Sequence, residues 1–257
     1  MPLDRLNYAW RLACTGAAFA GFSLGGALLA TVAYPSLVAT SRDRAERQAR
    51  FRDLISASFR LFVALLEFVG ILRLRIEGAE RLSECRGRVV VANHPTLIDV
   101  VHIVARVPRA QCVVKPALWD HPFLGLVVRA AGYIRSDGDA ETVLAACIGA
   151  LAAGENLVIF PEGTRTPDGE TARYRRGFAS VAIRARADLQ PLVIDCRPRM
   201  LERGSRWYDV PERRVDYTMR VEPAIPIAEY AAAPSRAIGA RRLAAEVVRI
   251  LGGAKAE

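Results

Sequence analysis

Lysine is nearly absent from this sequence. Of 36 basic residues only Lys115 and Lys255 are lysine, and the rest are arginine. Histidine is as scarce, at His94, His102 and His121. The five cysteines, Cys14, Cys85, Cys112, Cys147 and Cys196, are odd in number and scattered. They form neither a zinc spacing nor a disulfide framework, and they read as small core residues in a reducing, cytoplasmic setting. No nucleic-acid motif accompanies the arginines, so the formal charge of +9 points to anionic lipid headgroups or an acidic carrier protein, not to nucleic acid. Neither an internal repeat nor a long low-complexity linker is present.

What is present fits one α/β domain with a smaller appendage in 257 residues. The mean hydropathy of +0.15 hints at membrane contact. Leu12 to Tyr34 carries no charge and many small residues. As a helix it spans roughly 35 Å, enough to cross about 30 Å of hydrocarbon, and it exceeds the apolar core of a secretory signal. Arg42, Arg44, Arg47, Arg50 and Arg52 follow it, against Arg5 and Arg11 before it. The positive-inside rule then puts everything downstream in the cytoplasm. Leu54 to Leu72, interrupted by Arg60 and Glu67 on one face, reads as an amphipathic helix on the bilayer or against the domain. Residues 1–71 are thus expected to be a membrane-associated helical segment and 72–257 the main domain.

From Leu72 onward, strand patterns alternate with helical ones. Strands are expected at Leu72–Glu77, Arg88–Ala92, Cys112–Lys115, Tyr133–Arg135, Asn156–Phe160, Pro191–Cys196 and Val215–Glu222. Helices are expected at Thr96–Arg106, Leu124–Ala131, Ala140–Ala153, Phe178–Ala187 and Ser235–Leu251, the last capped by Ser235. The fold class is α/β, a mixed, mostly parallel sheet covered by helices.

Two polar motifs stand at the ends of apolar strands, where α/β proteins deliver chemistry. One is Asn93-His94-Pro95-Thr96-Leu97-Ile98-Asp99 and the other Phe160-Pro161-Glu162-Gly163-Thr164-Arg165. A histidine and an aspartate five apart point about 140° away from each other inside a helix. Pro95 suits a first helical turn, which leaves His94 at or near the N-cap and lets Asp99 reach back to it. That is the base and orienter of a serine-protease triad without the serine, so the hydroxyl to be activated belongs to a substrate.

His-x4-Asp followed by Phe-Pro-Glu-Gly-Thr-Arg resembles the glycerolipid acyltransferase family, typified by 1-acylglycerol-3-phosphate acyltransferase, from about Gly87 to Pro198. The resemblance implies that His94 deprotonates an acceptor hydroxyl and that Asp99 orients it. It implies that Glu162 and Arg165, turned together by Gly163 beside Thr164, position the acceptor. The acyl donor would be a thioester, acyl-CoA or acyl carrier protein, with no metal or other cofactor. Membrane lipids are the implied partners, on the cytoplasmic side of the cytoplasmic membrane. The family's middle motif, Gly-x-Ile-x-x-Asp-Arg, reads Gly132-Tyr133-Ile134-Arg135-Ser136-Asp137-Gly138 here, with glycine in place of the phosphate-binding arginine. Arg135 is the nearby substitute. The fourth motif is matched by Pro191-Leu192-Val193-Ile194.

Other roles stay open. Lys115 either stabilises the thioester oxyanion or reaches solvent. Arg173, Arg175 and Arg176, in a segment with Gly169 and Gly177, either meet a headgroup or carrier, or line a solvated loop. Asp99 and His102 are spaced to pair at i, i+3. His94, Asp99 and His102 match no metal signature. His121 before Pro122 shapes a loop. The leading acceptor is 1-acylglycerol-3-phosphate. A non-glycerophosphate lipid or polyketide-type alcohol, thioester hydrolysis and a non-enzymatic membrane adaptor are the alternatives, and the intact motifs argue against the adaptor.

Overall fold

A computed structural model describes residues 2–167 and 172–252, so Gly169 and Lys255 lie outside the described residues. Seven strands form one sheet in the order β1-β7-β6-β2-β5-β3-β4. They are β1 (Leu72–Glu77), β2 (Val89–Ala92), β3 (Ala110–Val114), β4 (Ile134–Arg135), β5 (Asn156–Ile159), β6 (Leu189–Arg197) and β7 (Val215–Val221). Strands β6, β2, β5, β3 and β4 run parallel, while β7 pairs antiparallel with β6 and carries β1 parallel to itself. All seven strands read from the sequence are present. The central β2 is buried at every position, as a strand covered on both faces must be.

The long helical run is α1 (Pro2–Leu28), a π-helical stretch Leu29–Ala33, and α2 (Tyr34–Thr40). Pro35 explains the wide turn. Proline has no N–H to give and collides with the carbonyl four residues back, and a π-turn relieves both. Then come α3 (Arg44–Phe68), α4 (Glu80–Ser83), α5 (Asp99–Val104), α6 (Pro116–Trp119), α7 (Leu124–Ala130), α8 (Ala140–Ala152), α9 (Gly177–Ala185), α10 (Ala228–Ala231) and α11 (Arg236–Gly252). One core lies between the sheet and α3, α5 and α7, built on Phe51, Ile55, Ile103, Val128, Val90 and Leu192. The second lies under α8, α9 and α11, on Leu151, Phe178, Leu243, Val247, Val89 and Val193. Each fully buried Leu, Ile or Phe contributes about 1.5–3 kcal/mol relative to exposure.

Helix α3 begins ten residues before the Leu54 start expected from hydrophobicity. Asp43 caps it by accepting the Glu46 N–H, while the Glu46 carboxylate accepts the Arg42 N–H, a reciprocal cap. Four arginines read from the sequence as a topological charge excess fall in this helix. Arg52 is buried against the Ala131 carbonyl and Glu155, Arg50 binds the Thr40 carbonyl, and Arg47 lies over the Tyr34 ring. Arg60 and Glu67 also face the protein, at the Ala105 carbonyl and the Leu74 N–H. This helix lies against the domain and leaves Leu61, Leu65 and Phe68 exposed.

The run Arg5–Thr40 is long and apolar enough to cross a membrane. It is also laid along the domain for most of its length. The Trp10 indole binds the Val69 carbonyl, Arg11 binds the Pro211 and Glu212 carbonyls, and Phe19 meets Trp207. Phe22 packs on Phe59 and Phe62, Gly26 approaches Leu124, and Tyr34 packs on Phe51. From Trp10 to Tyr34 is about 36 Å of helix. The segment 1–71 thus shares one core with the sheet.

Candidate active site

The five parallel strands end on one edge, and both motifs lie on it. Motif one follows β2 and motif two follows the adjacent β5. Asn93 fastens the first loop, since its amide exchanges two hydrogen bonds of 2.7 Å with the Ile194 backbone on β6. His94 Nδ1 lies 2.8 Å from Asp99 Oδ2. The sequence placed His94 at a helix N-cap. The helix starts later, at Asp99, after a turn over Pro95–Ile98 in which the Thr96 N–H also bonds Asp99 Oδ2, at 2.8 Å. The pairing holds because this turn, rather than a full helical turn, brings the carboxylate back.

The His94 ring stacks on Phe160 at 4.1 Å and keeps partial exposure. With Nδ1 committed to Asp99, Nε2 is the ring nitrogen left for a substrate. Asp99 is fully buried. Burial raises its pKa, and hydrogen bonds from His94, Thr96 and Tyr217 pull it back. Asp99 does not pair with His102, whose ring nitrogens have no hydrogen-bond partner among the described residues. His121 Nδ1 accepts the Phe123 and Leu124 N–H groups and so shapes the start of α7, as expected.

The second motif grips the first. Glu162 Oε1 accepts the His94 N–H at 3.0 Å, its other oxygen accepts the Thr166 hydroxyl, and the Thr166 N–H binds the His94 carbonyl at 3.1 Å. Gly163 sits at φ +67°, a left-handed turn that glycine enters without strain, and Thr164 beside it is half-buried. Arg165 donates to the carbonyls of Leu201 (2.8 Å) and Glu202 (3.0 Å), and burial lowers its pKa. The Leu97 N–H binds the same Leu201 carbonyl, so Arg165 ties the loop after β6 to the histidine loop. Glu162 and Arg165 were expected to hold the acceptor. In this structure both engage protein groups that shape the site.

Lys115 and Arg135 lie farther along the edge. Counting strands from β2 places the end of β3 about 10 Å away and that of β4 about 14 Å away. Lys115 is exposed. Arg135 is engaged by Asp137 at 2.5 Å and by both oxygens of Asp120 at 3.2 and 3.3 Å. Gly138 is exposed. Arg173, Arg175 and Arg176 are exposed next to the second motif, with Arg175 3.5 Å from where a Gly163 side chain would begin. Among the described residues no cluster of three or more His, Cys, Asp or Glu could hold a metal ion.

Residues 73–195 match the Acyltransferase family. The chain is 32% identical over 113 residues to the 1-acyl-sn-glycerol-3-phosphate acyltransferase of Helicobacter pylori (strain J99), covering 42% of this chain and 48% of that one. It is 27% identical over 139 residues to the human beta enzyme of the same name, covering 51% and 50%. The matched stretch thus spans about half the length of these relatives. The crystal structure of the 1-acyl-sn-glycerophosphate acyltransferase PlsC from Thermotoga maritima shares the fold. Its TM-score is 0.66 at 20% identity, over 99% of this chain and 97% of that one.

Proposed function

We propose that this chain transfers a fatty acyl group from a thioester, acyl-CoA or acyl carrier protein, to a lysophospholipid hydroxyl, with 1-acylglycerol-3-phosphate as the leading acceptor. The observation that carries this is the His94–Asp99 pair, 2.8 Å apart, with its ring aligned on Phe160 and its backbone gripped by the second motif. His94 Nε2 takes the proton of the acceptor hydroxyl as its oxygen attacks the thioester carbonyl carbon. The C–S bond breaks, the imidazolium returns the proton to the leaving thiolate, and an ester and a free thiol result. The Asp99 carboxylate holds the tautomer with Nδ1 protonated and offsets the charge on the ring. No residue of this chain becomes acylated. The test is an assay with purified protein, both donors and 1-acylglycerol-3-phosphate. Diacylated product and stoichiometric thiol are expected, and thiol without product means hydrolysis.

A phosphate-free acceptor is favoured by one observation. Gly138 replaces the expected arginine, and Arg135 is engaged by Asp120 and Asp137. A charge-assisted contact to phosphate contributes about 1.5–3 kcal/mol, so its absence relaxes selectivity by roughly one to two orders of magnitude. Catalytic efficiency is expected to differ less than about a thousandfold between 1-acylglycerol-3-phosphate and a phosphate-free acceptor of equal chain length. Gly138→Arg should raise the preference for phosphate. The position is exposed, and a new Cβ would meet Val143 at 3.3 Å, a contact that a small shift relieves.

The membrane is engaged by the helical hairpin lying on one leaflet at the cytoplasmic face, where both thioesters are found. Leu6, Leu24 and Leu28 on α1, and Leu61, Leu65 and Phe68 on α3, form exposed apolar stripes at helical spacing. A crossing helix would draw its packing partners Trp207 and Leu124 into the hydrocarbon with it. In a Cys14→Ser background, Arg5→Cys and Arg44→Cys probes are expected to react with an impermeant thiol reagent from the same side of sealed vesicles. Labelling from opposite sides would establish a crossing.

A further inference from the structure

We propose that Tyr217 is a positioning residue of this site, its hydroxyl fixing the second oxygen of Asp99 and thereby the orientation of His94. This deepens the reading of His94 as general base and rests on it. Asp99 Oδ2 is occupied by His94 Nδ1 and the Thr96 N–H. Oδ1 receives the Tyr217 hydroxyl at 2.8 Å, across 118 residues of sequence. Tyr217 lies on β7 opposite Cys196 of β6, on the face packed against α5, and is fully buried. Burial and the neighbouring Asp99 push its phenol well above 10, so it is protonated and donates.

A second contact holds the phenol ring. It stacks on His102 with centroids 4.0 Å apart and planes 19° apart. His102 is fully buried, and burial with Arg106 nearby lowers its pKa to about 3, so it is a neutral plate beside the phenol. The other groups facing this cluster come from four elements. They are Arg165 after β5, Arg106 after α5, Arg60 and Glu67 of α3, and Cys196 of β6, whose thiol is pushed up to about 12. Arg60, Glu67, Arg165 and Cys196 hydrogen-bond instead to backbone groups of Ala105, Leu74, Leu201 and Pro198. Without the phenol, a buried carboxylate oxygen loses its donor.

Burial already raises Asp99, and its donors oppose that. With one donor fewer the His94–Asp99 pair binds a proton at higher pH, and the form with neutral imidazole and anionic carboxylate is lost earlier on acidification. The acid limb of kcat/KM must therefore move to higher pH, a change that simple loosening of the fold does not produce.

The experiment compares pH profiles of acyl transfer for wild type, Tyr217→Phe, His102→Phe and protein with 3-fluorotyrosine at 217. Tyr217→Phe is expected to raise the acid limb by about one pH unit, with kcat lowered about tenfold and KM values within about threefold. His102→Phe keeps the plate and the hydroxyl and should superimpose on wild type. Fluorotyrosine, a stronger donor of nearly the same shape, should lower the acid limb, and it carries the test if Tyr217→Phe does not fold. An unmoved limb in folded Tyr217→Phe, or in the fluorotyrosine protein, overturns the inference, as does His102→Phe shifting it as far as Tyr217→Phe does. A wild-type chain that transfers no acyl group at any pH overturns the acyltransferase reading as well; an active one with an unmoved limb overturns this inference alone.

Discussion

Replacing His94 by alanine is expected to lower acyl transfer by about 10²–10⁴-fold, the usual cost of removing a general base. Folding and vesicle binding should survive, because the ring is partly exposed and engages Asp99 and Phe160 at the site itself. Asp99→Asn should be impaired on the same scale. An amide carries no charge to offset an imidazolium, and it must place a hydrogen-bearing nitrogen towards either Tyr217 or the shared His94 and Thr96 donors. The check is steady-state turnover beside a thermal melt and vesicle cosedimentation for each variant. Near-normal turnover in folded His94→Ala would end the base assignment.

The site's principal pair was legible because its spacing carries a geometric problem with one economical solution. Five residues do not bring His94 and Asp99 together in a helix, and the intervening proline requires a turn. The sequence misjudged where the helix begins, since Thr96 to Ile98 are compatible with a first turn and the tertiary and local contacts Leu97–Leu201 and Thr96–Asp99 hold them out of it. Strands were legible throughout, because the central β2 is an unbroken buried apolar run and β5 and β6 carry shorter ones at Leu157–Ile159 and Leu192–Ile194.

Two structural roles were not legible, for physical reasons. Arg52, one of the arginines after Thr40, finds Glu155 across 103 residues, a partner no local pattern announces. The Asp43–Glu46 capping box was the signal that could have located the start of α3. Tyr217 was missed altogether. It lies outside both motifs, and alternation along Val215–Val221 marks it only as an inward-facing strand residue. No sequence signal distinguishes it from a core tyrosine; the β6–β7 pairing creates its role.

Glu162 is where two readings of the second motif separate. The resemblance assigns it to the acceptor, whereas the geometry gives its two oxygens to the His94 N–H and the Thr166 hydroxyl. Glu162 is buried, so truncation leaves the His94 N–H without its acceptor and releases one side of the histidine loop. Small misplacements of a reacting group cost up to about 10²-fold, and Glu162→Ala is expected to lower kcat by about 10–100-fold with acceptor KM within about threefold. Glu162→Gln retains an oxygen for the His94 N–H, so it should recover much of that loss. Acceptor binding by the carboxylate predicts the reverse, a KM that rises in both variants while kcat holds. Measuring kcat and KM for the three proteins against one acceptor series decides between a residue that touches the lipid and one that holds the base in place.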